Sequence, residues 1–312
     1  MELTVLAVPD CPTGQLLRER LAVVLADHPD TSLTWHETTD EREAVRRGMR
    51  GSPTLLVNGR DPFVRAGERA SVSCRLYGPE EDAVAGAPSV ARLRTVLAEA
   101  AAAELLGRGS PVGGRLAPKA GGLRAVQQAV LRSFATHGRP PTPAELDAAA
   151  APSGVPAEQV LRDLSAADYL SLDADGTLRA AYPFSPTPTA YRVVIAEGPQ
   201  VWAMCAIDAL GISPMLGRDV TIHSADPVTG DPVTVTFTGS TVTWDPATAV
   251  VVVPTGACHG PAVDACCEAV NFHADAASAA RRRAAHPHSP ATVLDQNRAE
   301  AVGRTVFGPL LT

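Results

Sequence analysis

Apolar positions recur along this chain with two periods, and the chain divides where the period changes. Residues 3–8 form a short apolar run rich in branched side chains, which predicts a buried strand. Residues 15–26 carry apolar positions at helical spacing, 32–36 predict a second strand and 41–47 a short helix. Residues 51–59 read as strand, Asn-Gly turn and strand. An Ala-rich helix over 89–106, with Ser89 as its N-cap, closes a first α/β unit at 1–106. Residues 107–122 are rich in Gly and Pro and keep no apolar period, the composition of a linker.

From 123 to 184 the pattern is helical over 123–136, 142–150 and 156–169, then a hairpin turns at Asp175-Gly176. Three helices and a hairpin predict a winged-helix-like segment, which raises the question of DNA. The third helix, which would enter the groove, carries Glu158, Asp163 and Asp168 against Arg162 alone. Phosphate contact dominates DNA affinity, so this segment is expected to pack on the chain rather than bind nucleic acid. Over 185–312, strands at 219–223, 233–238, 241–244 and 249–253 predict a mostly antiparallel sheet. A strand carrying Cys266 is expected to join it, with helices covering one face. The fold class is α+β: an N-terminal α/β domain, a winged-helix-like segment and a mixed or antiparallel core.

Composition narrows the setting. With 312 residues, 45% of them hydrophobic, the chain can bury more than one core, and a net charge of −7 argues against general affinity for nucleic acid or acidic membranes. No stretch approaches the roughly 18 apolar residues of a membrane span, and the start lacks a charged-then-apolar leader. The cytosol is the expected compartment, where the six cysteines are expected as thiols. Arg281-Arg282-Arg283 reads as a solvated helix face. Cys258-His259 and His273 lack the paired spacing of a structural zinc site.

The chemistry concentrates in Val201-Trp202-Ala203-Met204-Cys205-Ala206-Ile207-Asp208-Ala209-Leu210, apolar except for one thiol and one carboxylate. On a helix their spacing puts both on one face, and burial raises the pKa of such a carboxyl. Inert packing would explain Cys205 equally well, since free cysteines are commonly buried. The adjacent Cys266 and Cys267 shift the balance. If they lie on a strand, only one of them faces the Cys205 helix. Two thiolates from distant segments suit a soft metal ion, and Asp208 could protonate that metal's other ligand.

These residues resemble the alkylmercury lyase (organomercurial lyase) family. The resemblance rests on residues 203–210, Asp226-Pro227-Val228-Thr229-Gly230, the Cys266-Cys267 pair before Val270-Asn271-Phe272, and Val306-Phe307-Gly308. It implies cleavage of a carbon–mercury bond, with an organomercurial as substrate, small thiols as co-reactants, no required cofactor and Hg(II) as bound product. The implied roles fall on Cys205, Asp208 and Cys266, the first of the adjacent pair, while Cys267 is expected to face away and matter less. Ala190-Tyr191 departs from the family pattern, which implies a His-containing pair there. A partner implied for the product is a mercuric reductase, or this chain's own N-terminal domain.

That domain has its own motif. The element order, Asp10-Cys11-Pro12 and Ser52-Pro53-Thr54 resemble the thioredoxin and glutaredoxin superfamily, but Gly14 stands where a second cysteine would be. Two readings follow: a degenerate thioredoxin-like fold used only for docking or stability, or Cys11, with Cys74 as a distant partner, as an accessory thiol that accepts Hg(II) by exchange. Two other classes compete with the enzyme: a non-catalytic soft-metal (mercury or copper) binder or sensor, and a thiol-disulfide oxidoreductase centred on Cys11. A pure binder has no need of Asp208, and an oxidoreductase would miss the cysteine absent at Gly14.

Overall fold

The computed structural model describes residues 1–26, 31–65, 67–77, 85–107, 115–255 and 261–311, without the side chains of 103–107 and 265. It forms two compact units, Met1–Glu104 and Leu105–Thr312. Among the described residues no helix is long and apolar enough to cross a membrane.

The first unit runs β1 (Glu2–Ala7), α1 (Pro12–Leu25), β2 (Ser32–Glu37), α2 (Glu41–Arg47), β3 (Arg50–Ser52), β4 (Thr54–Val57), β5 (Ser71–Cys74) and α3 (Val90–Gly107), which continues past its end. β1 lies between β2, parallel to it, and β4, antiparallel. Side-chain alternation along β1 feeds two layers. Leu3 and Val5 pack with Leu17 and Leu21 of α1 and Leu93 and Leu97 of α3, whereas Leu6 packs with Ala44 and Met49. The second strand expected after Asn58-Gly59 is absent; a single bridge joins Val57 and Arg60. The reason is local: Pro62 has no N–H to give a ladder, and Asp61 is drawn to the buried Arg75 at 2.8 Å.

The second unit begins with residues 115–122, the described part of the expected linker. These lie against α4 (Leu123–His137): Gln127 donates to the Arg115 carbonyl at 2.6 Å and accepts from the Ala117 amide at 3.0 Å. Arg115 and Ala117 are both buried. α5 (Pro143–Ala150), capped by Thr142 and Glu145, and α6 (Ala157–Ala166) complete three packed helices, and β6 (Ser171–Leu172) and β7 (Leu178–Ala180) form the hairpin.

There follow β8 (Phe184–Ser185), β9 (Arg192–Ile195), β10 (Gln200–Ala203), α7 (Ala206–Leu216), β11 (Val220–Ala225), β12 (Pro232–Thr238) and β13 (Thr241–Asp245). Their strands make one antiparallel sheet in the order β13-β12-β11-β9-β10-β8. β14 (Val250–Pro254), α8 (Ala262–Ala265), β15 (Asn271–His273), α9 (Ala276–Ala285), β16 (Ala291–Leu294) and α10 (Gln296–Phe307) close the unit, with β15-β14-β16 as a separate sheet. The expected Cys266 strand is therefore corrected. Only residues 271–273 are extended, and they pair outside the main sheet, while Cys266 joins α8 to a 3-10 turn, Cys267–Ala269, that begins with Cys267.

Apart from Asp208 and Ser213, α7 is apolar on all its faces, and residues 206–212 and Met215 are buried. It crosses α10 through two glycines. A Cβ on Gly211 would come within 2.2 Å of the Phe307 ring, and one on Gly303 within 3.0 Å of the Gly211 amide nitrogen. The Val306-Phe307-Gly308 motif is thus the seat of the site helix. Gly211→Ala is expected to destabilise the protein by about 1–3 kcal/mol through overpacking, read by thermal unfolding, and an unchanged midpoint would contradict this packing.

Candidate active site

Residues 201–210 form a strand running into a helix rather than one helix. β10 ends at Ala203, and Cys205, extended at φ −152°, is the N-cap of α7. Asp208 is therefore its N3 residue. The Cys205 thiol donates to Asp208 Oδ2 at 2.6 Å, and the Asp208 amide donates back to Cys205 Sγ at 3.4 Å. The second bond is an N-cap with a thiol in the place of the usual hydroxyl, and the first runs from side chain to side chain, not to the N-cap amide as in a capping box.

Both groups are buried, Cys205 at 3% and Asp208 at 4% exposure. Burial pushes the Asp208 carboxyl up to about 6, opposed by the Cys205 hydrogen bond and the positive charge of Arg115. Burial also drives the Cys205 thiol well above its usual range, helped by the neighbouring Cys267 and Asp208. At neutral pH the shared proton therefore rests on sulfur, facing an ionised carboxylate.

The second thiol at the site is Cys267. It neighbours Cys205 closely enough to raise that thiol's pKa, and it is free and buried. Cys266, to which the resemblance gave the role, is disulfide-bonded. That corrects two expectations: that Cys267 faces away, and that every cysteine is a thiol. The strand alternation behind the first does not apply where the chain turns. Cys258 and His259 lie outside the described residues.

Tyr191 and the Val270 carbonyl bring the two segments together. The Ala206 amide, next to Cys205, donates to Val270 O at 3.2 Å. The Tyr191 hydroxyl lies 3.0 Å from the same oxygen and 2.6 Å from Asn271 Oδ1, and Asn271 Nδ2 donates to Glu268 O at 2.8 Å, closing the Cys267 turn. Burial raises the Tyr191 phenol far above its usual range, and charge on Cys205, Cys267 and Asp208 adds to this, so it stays a neutral donor. Its only trace in the sequence is the departure at Ala190-Tyr191.

The Asp226–Gly230 motif is a structural knot. Asp226 is 1% exposed and accepts from the Val228 and Ala274 amides, each at 2.8 Å, fastening the turn after β11 to the end of β15. Although its burial acts the other way, hydrogen bonds from Ser278 and these amides hold its carboxyl below the usual range. His273 Nδ1 lies 3.1 Å from Ser278 Oγ and 3.5 Å from Asp226 Oδ1. Burial lowers the His273 pKa despite Asp226, so at neutral pH this contact is not an ion pair.

In the first unit Cys11 is the N-cap of α1, 3.4 Å from Thr13 Oγ1. Burial opposes ionisation, but hydrogen bonds from Ser52 and Thr13 prevail and lower its pKa. A Cβ at Gly14 would lie 3.5 Å from that of Cys11, within disulfide range, so the glycine is what denies this turn a dithiol. Cys74 is exposed, free and in register with Ser52.

An alkylmercury lyase of Staphylococcus epidermidis is 31% identical over 165 residues, covering 52% of this chain and 74% of the relative. This chain belongs to the alkylmercury lyase family. The family model matches residues 184–308, within the second unit, and includes Cys205, Asp208 and Cys267. Alkylmercury lyases of Streptomyces lividans and Bacillus cereus are 35% and 31% identical, over 41% and 33% of this chain and 58% and 47% of their own lengths. The crystal structure of the mercury-bound form of MerB2 shares the fold, with a TM-score of 0.54 and 20% identity over 69% of this chain and 98% of that one.

The raised Asp208 pKa has a sign. The folded state holds the proton more tightly than the unfolded chain, so stability is fully present below about pH 4 and falls as pH rises through about 6, by about 3 kcal/mol in all. Asp208→Asn, which cannot ionise, is expected to raise the unfolding midpoint at pH 8 and leave it nearly unchanged at pH 4. An equal shift at both pH values would contradict the assignment.

Proposed function

We propose that this lyase cleaves R–Hg⁺ to R–H and Hg(II) with Cys205 and Cys267 as the two thiolates and Asp208 as the proton carrier. The supporting observation is the buried thiol donating to a buried carboxylate at 2.6 Å, with a second free, buried thiol beside it. An organomercurial arriving as a small-thiol adduct, R–Hg–SR′, exchanges that ligand for Cys205. The Cys205 proton passes to Asp208, whose carboxylate already accepts it. Cys267 then adds its sulfur to mercury, and its proton leaves with the displaced R′S⁻ as R′SH. Two sulfur donors raise electron density on the mercury-bound carbon, and the protonated Asp208 delivers its proton there. The products are R–H and Hg(II) held by both sulfurs, and Asp208 is again ionised. Fully buried Ile207 and Phe272 belong to the segments carrying the trio, in keeping with hydrophobic substrates.

The remaining assignments rest on element order and composition. The domains are 1–106 (thioredoxin-like), 107–122 (linker), 123–184 (winged-helix-like) and 185–312 (catalytic core), in a cytoplasmic protein. Hg(II) leaves by exchange with small thiols, and Cys11 with its lowered pKa, or a mercuric reductase, is an acceptor in the same chemistry.

With methylmercury and excess small thiol, the wild-type protein is expected to release methane and Asp208→Ala to bind mercury without releasing it. Cys205→Ala and Cys267→Ala are expected to lose both firm binding and turnover, and Cys266→Ala to retain turnover. Methane from Asp208→Ala, or loss confined to Cys266→Ala, would overturn the assignment. The Cys11→Ser, Cys74→Ser variant is expected to release Hg(II) to small thiols more slowly; a wild-type rate would exclude Cys11 as acceptor.

A further inference from the structure

The small sheet β15-β14-β16 carries a cleft that the mechanism leaves unused. β15 and β16 are both antiparallel to β14 and flank it, so α9 is the crossover between them, packed on all three strands. α9 therefore runs back to the end of the sheet where β14 leaves. There its last turn and residues 286–291 enclose a cleft of about 610 Å³, lined by Arg283, His286, Ser289 and Thr255 with Pro287 and Pro290. The Thr255 amide donates to Pro290 O at 2.9 Å, which fastens the two sides.

The lining is suited to an anion. His286 Nδ1 lies 3.0 Å from the Arg282 carbonyl, which can only accept, so Nδ1 carries the proton and Nε2 is left without a partner among the described residues. Arg281, Arg282 and Arg283 form no ion pair among the described residues, although the chain as a whole carries a net charge of −7. The C-terminus of α9 opposes an anion with roughly half a negative charge, and three guanidinium charges outweigh it.

The cleft also stands close to the reacting thiol. The register pairs Val252 with Asn271 and Pro254 with Ala291, so Val270 and Ala291 lie on opposite sides of the end of β14. Two strand spacings separate them, about 10 Å. Val270 is the residue whose carbonyl takes the Ala206 amide, next to Cys205. An extended peptide covers about 3.3–3.6 Å per residue, so a ligand the size of a tripeptide bridges that gap.

We propose that this cleft binds the carboxylates of the small anionic thiol that brings the organomercurial in as R–Hg–SR′. The inference rests on thiol exchange at Cys205, as proposed above, and is indifferent to which sulfur joins mercury second. Held by Arg283 and His286, the carrier keeps its sulfur–mercury bond near Cys205 until exchange frees it. The chain then selects the carrier thiol as well as the organic group.

The test uses the full chain and methylmercury in excess glutathione, a tripeptide thiol with two carboxylates, or in excess cysteamine, a cationic thiol. The ratio of kcat/KM for the glutathione adduct to that for the cysteamine adduct is expected to fall roughly three- to tenfold in Arg283→Glu, through KM, because exposed ion pairs are individually weak. His286→Gln is expected to lower it less. Arg281→Glu makes the same charge change outside the cleft and is expected to keep the wild-type ratio. S-methylglutathione, which keeps the carboxylates and has no thiol, is expected to bind the wild-type protein in a calorimetric titration and to lose that binding in Arg283→Glu. An unchanged ratio in Arg283→Glu, an equal fall in Arg281→Glu, or binding of inorganic phosphate with none of S-methylglutathione would overturn the proposal. No methane from either adduct would overturn the lyase reading, and the S-methylglutathione titration would still decide the cleft.

Discussion

The site depends on one hydrogen bond made out of water, from the Cys205 thiol to the Asp208 carboxylate. Two influences compete there. The N-terminus of α7 favours anions, by an amount typically below about 2 kcal/mol even when partly buried. Burial disfavours them, and burial prevails, because the carboxyl rises to about 6 and the thiol stays protonated. The result is one proton held between sulfur and oxygen, able to move to oxygen when an electrophile takes the sulfur. An exposed Cys–Asp pair would surrender that proton to solvent.

The scaffold around this bond serves to keep it dry and to bring in a second sulfur. α7 is seated on α10 through Gly211 and Gly303, where the backbones approach more closely than side chains would permit. The Cys267 turn reaches the helix start through the Val270 carbonyl, shared by the Ala206 amide and Tyr191. Asp226, although part of a conspicuous motif, holds loops rather than substrate.

How much of this the sequence disclosed follows from how local each feature is. Cys205 and Asp208 are three residues apart, and either a helix or an N-cap with its N3 residue brings them together, so the pair was legible even though the strand–cap–helix boundary was not. Choosing between Cys266 and Cys267 required knowing the backbone path. The run 264–272 suggested a strand, but it holds the end of a helical turn, a 3-10 turn and only the first two of the extended residues 271–273. Arg115 was hidden by its Gly- and Pro-rich surroundings, which gave no sign that Gln127 would draw that stretch onto α4. Asp168 read as one more acid on an acidic helix. That reading argued against a phosphate-binding face and concealed a contact across 94 residues, with the Ala262 amide.

The central claim is that mercury, once freed from carbon, is held by Cys205 and Cys267. The most direct measurement is a thiol footprint after a single turnover with methylmercury, by alkylation under reducing conditions and peptide mass spectrometry. Protection of Cys205 and Cys267, with Cys266 alkylated, is the result this account predicts. Protection of Cys205 with Cys266, and an alkylated Cys267, would contradict it.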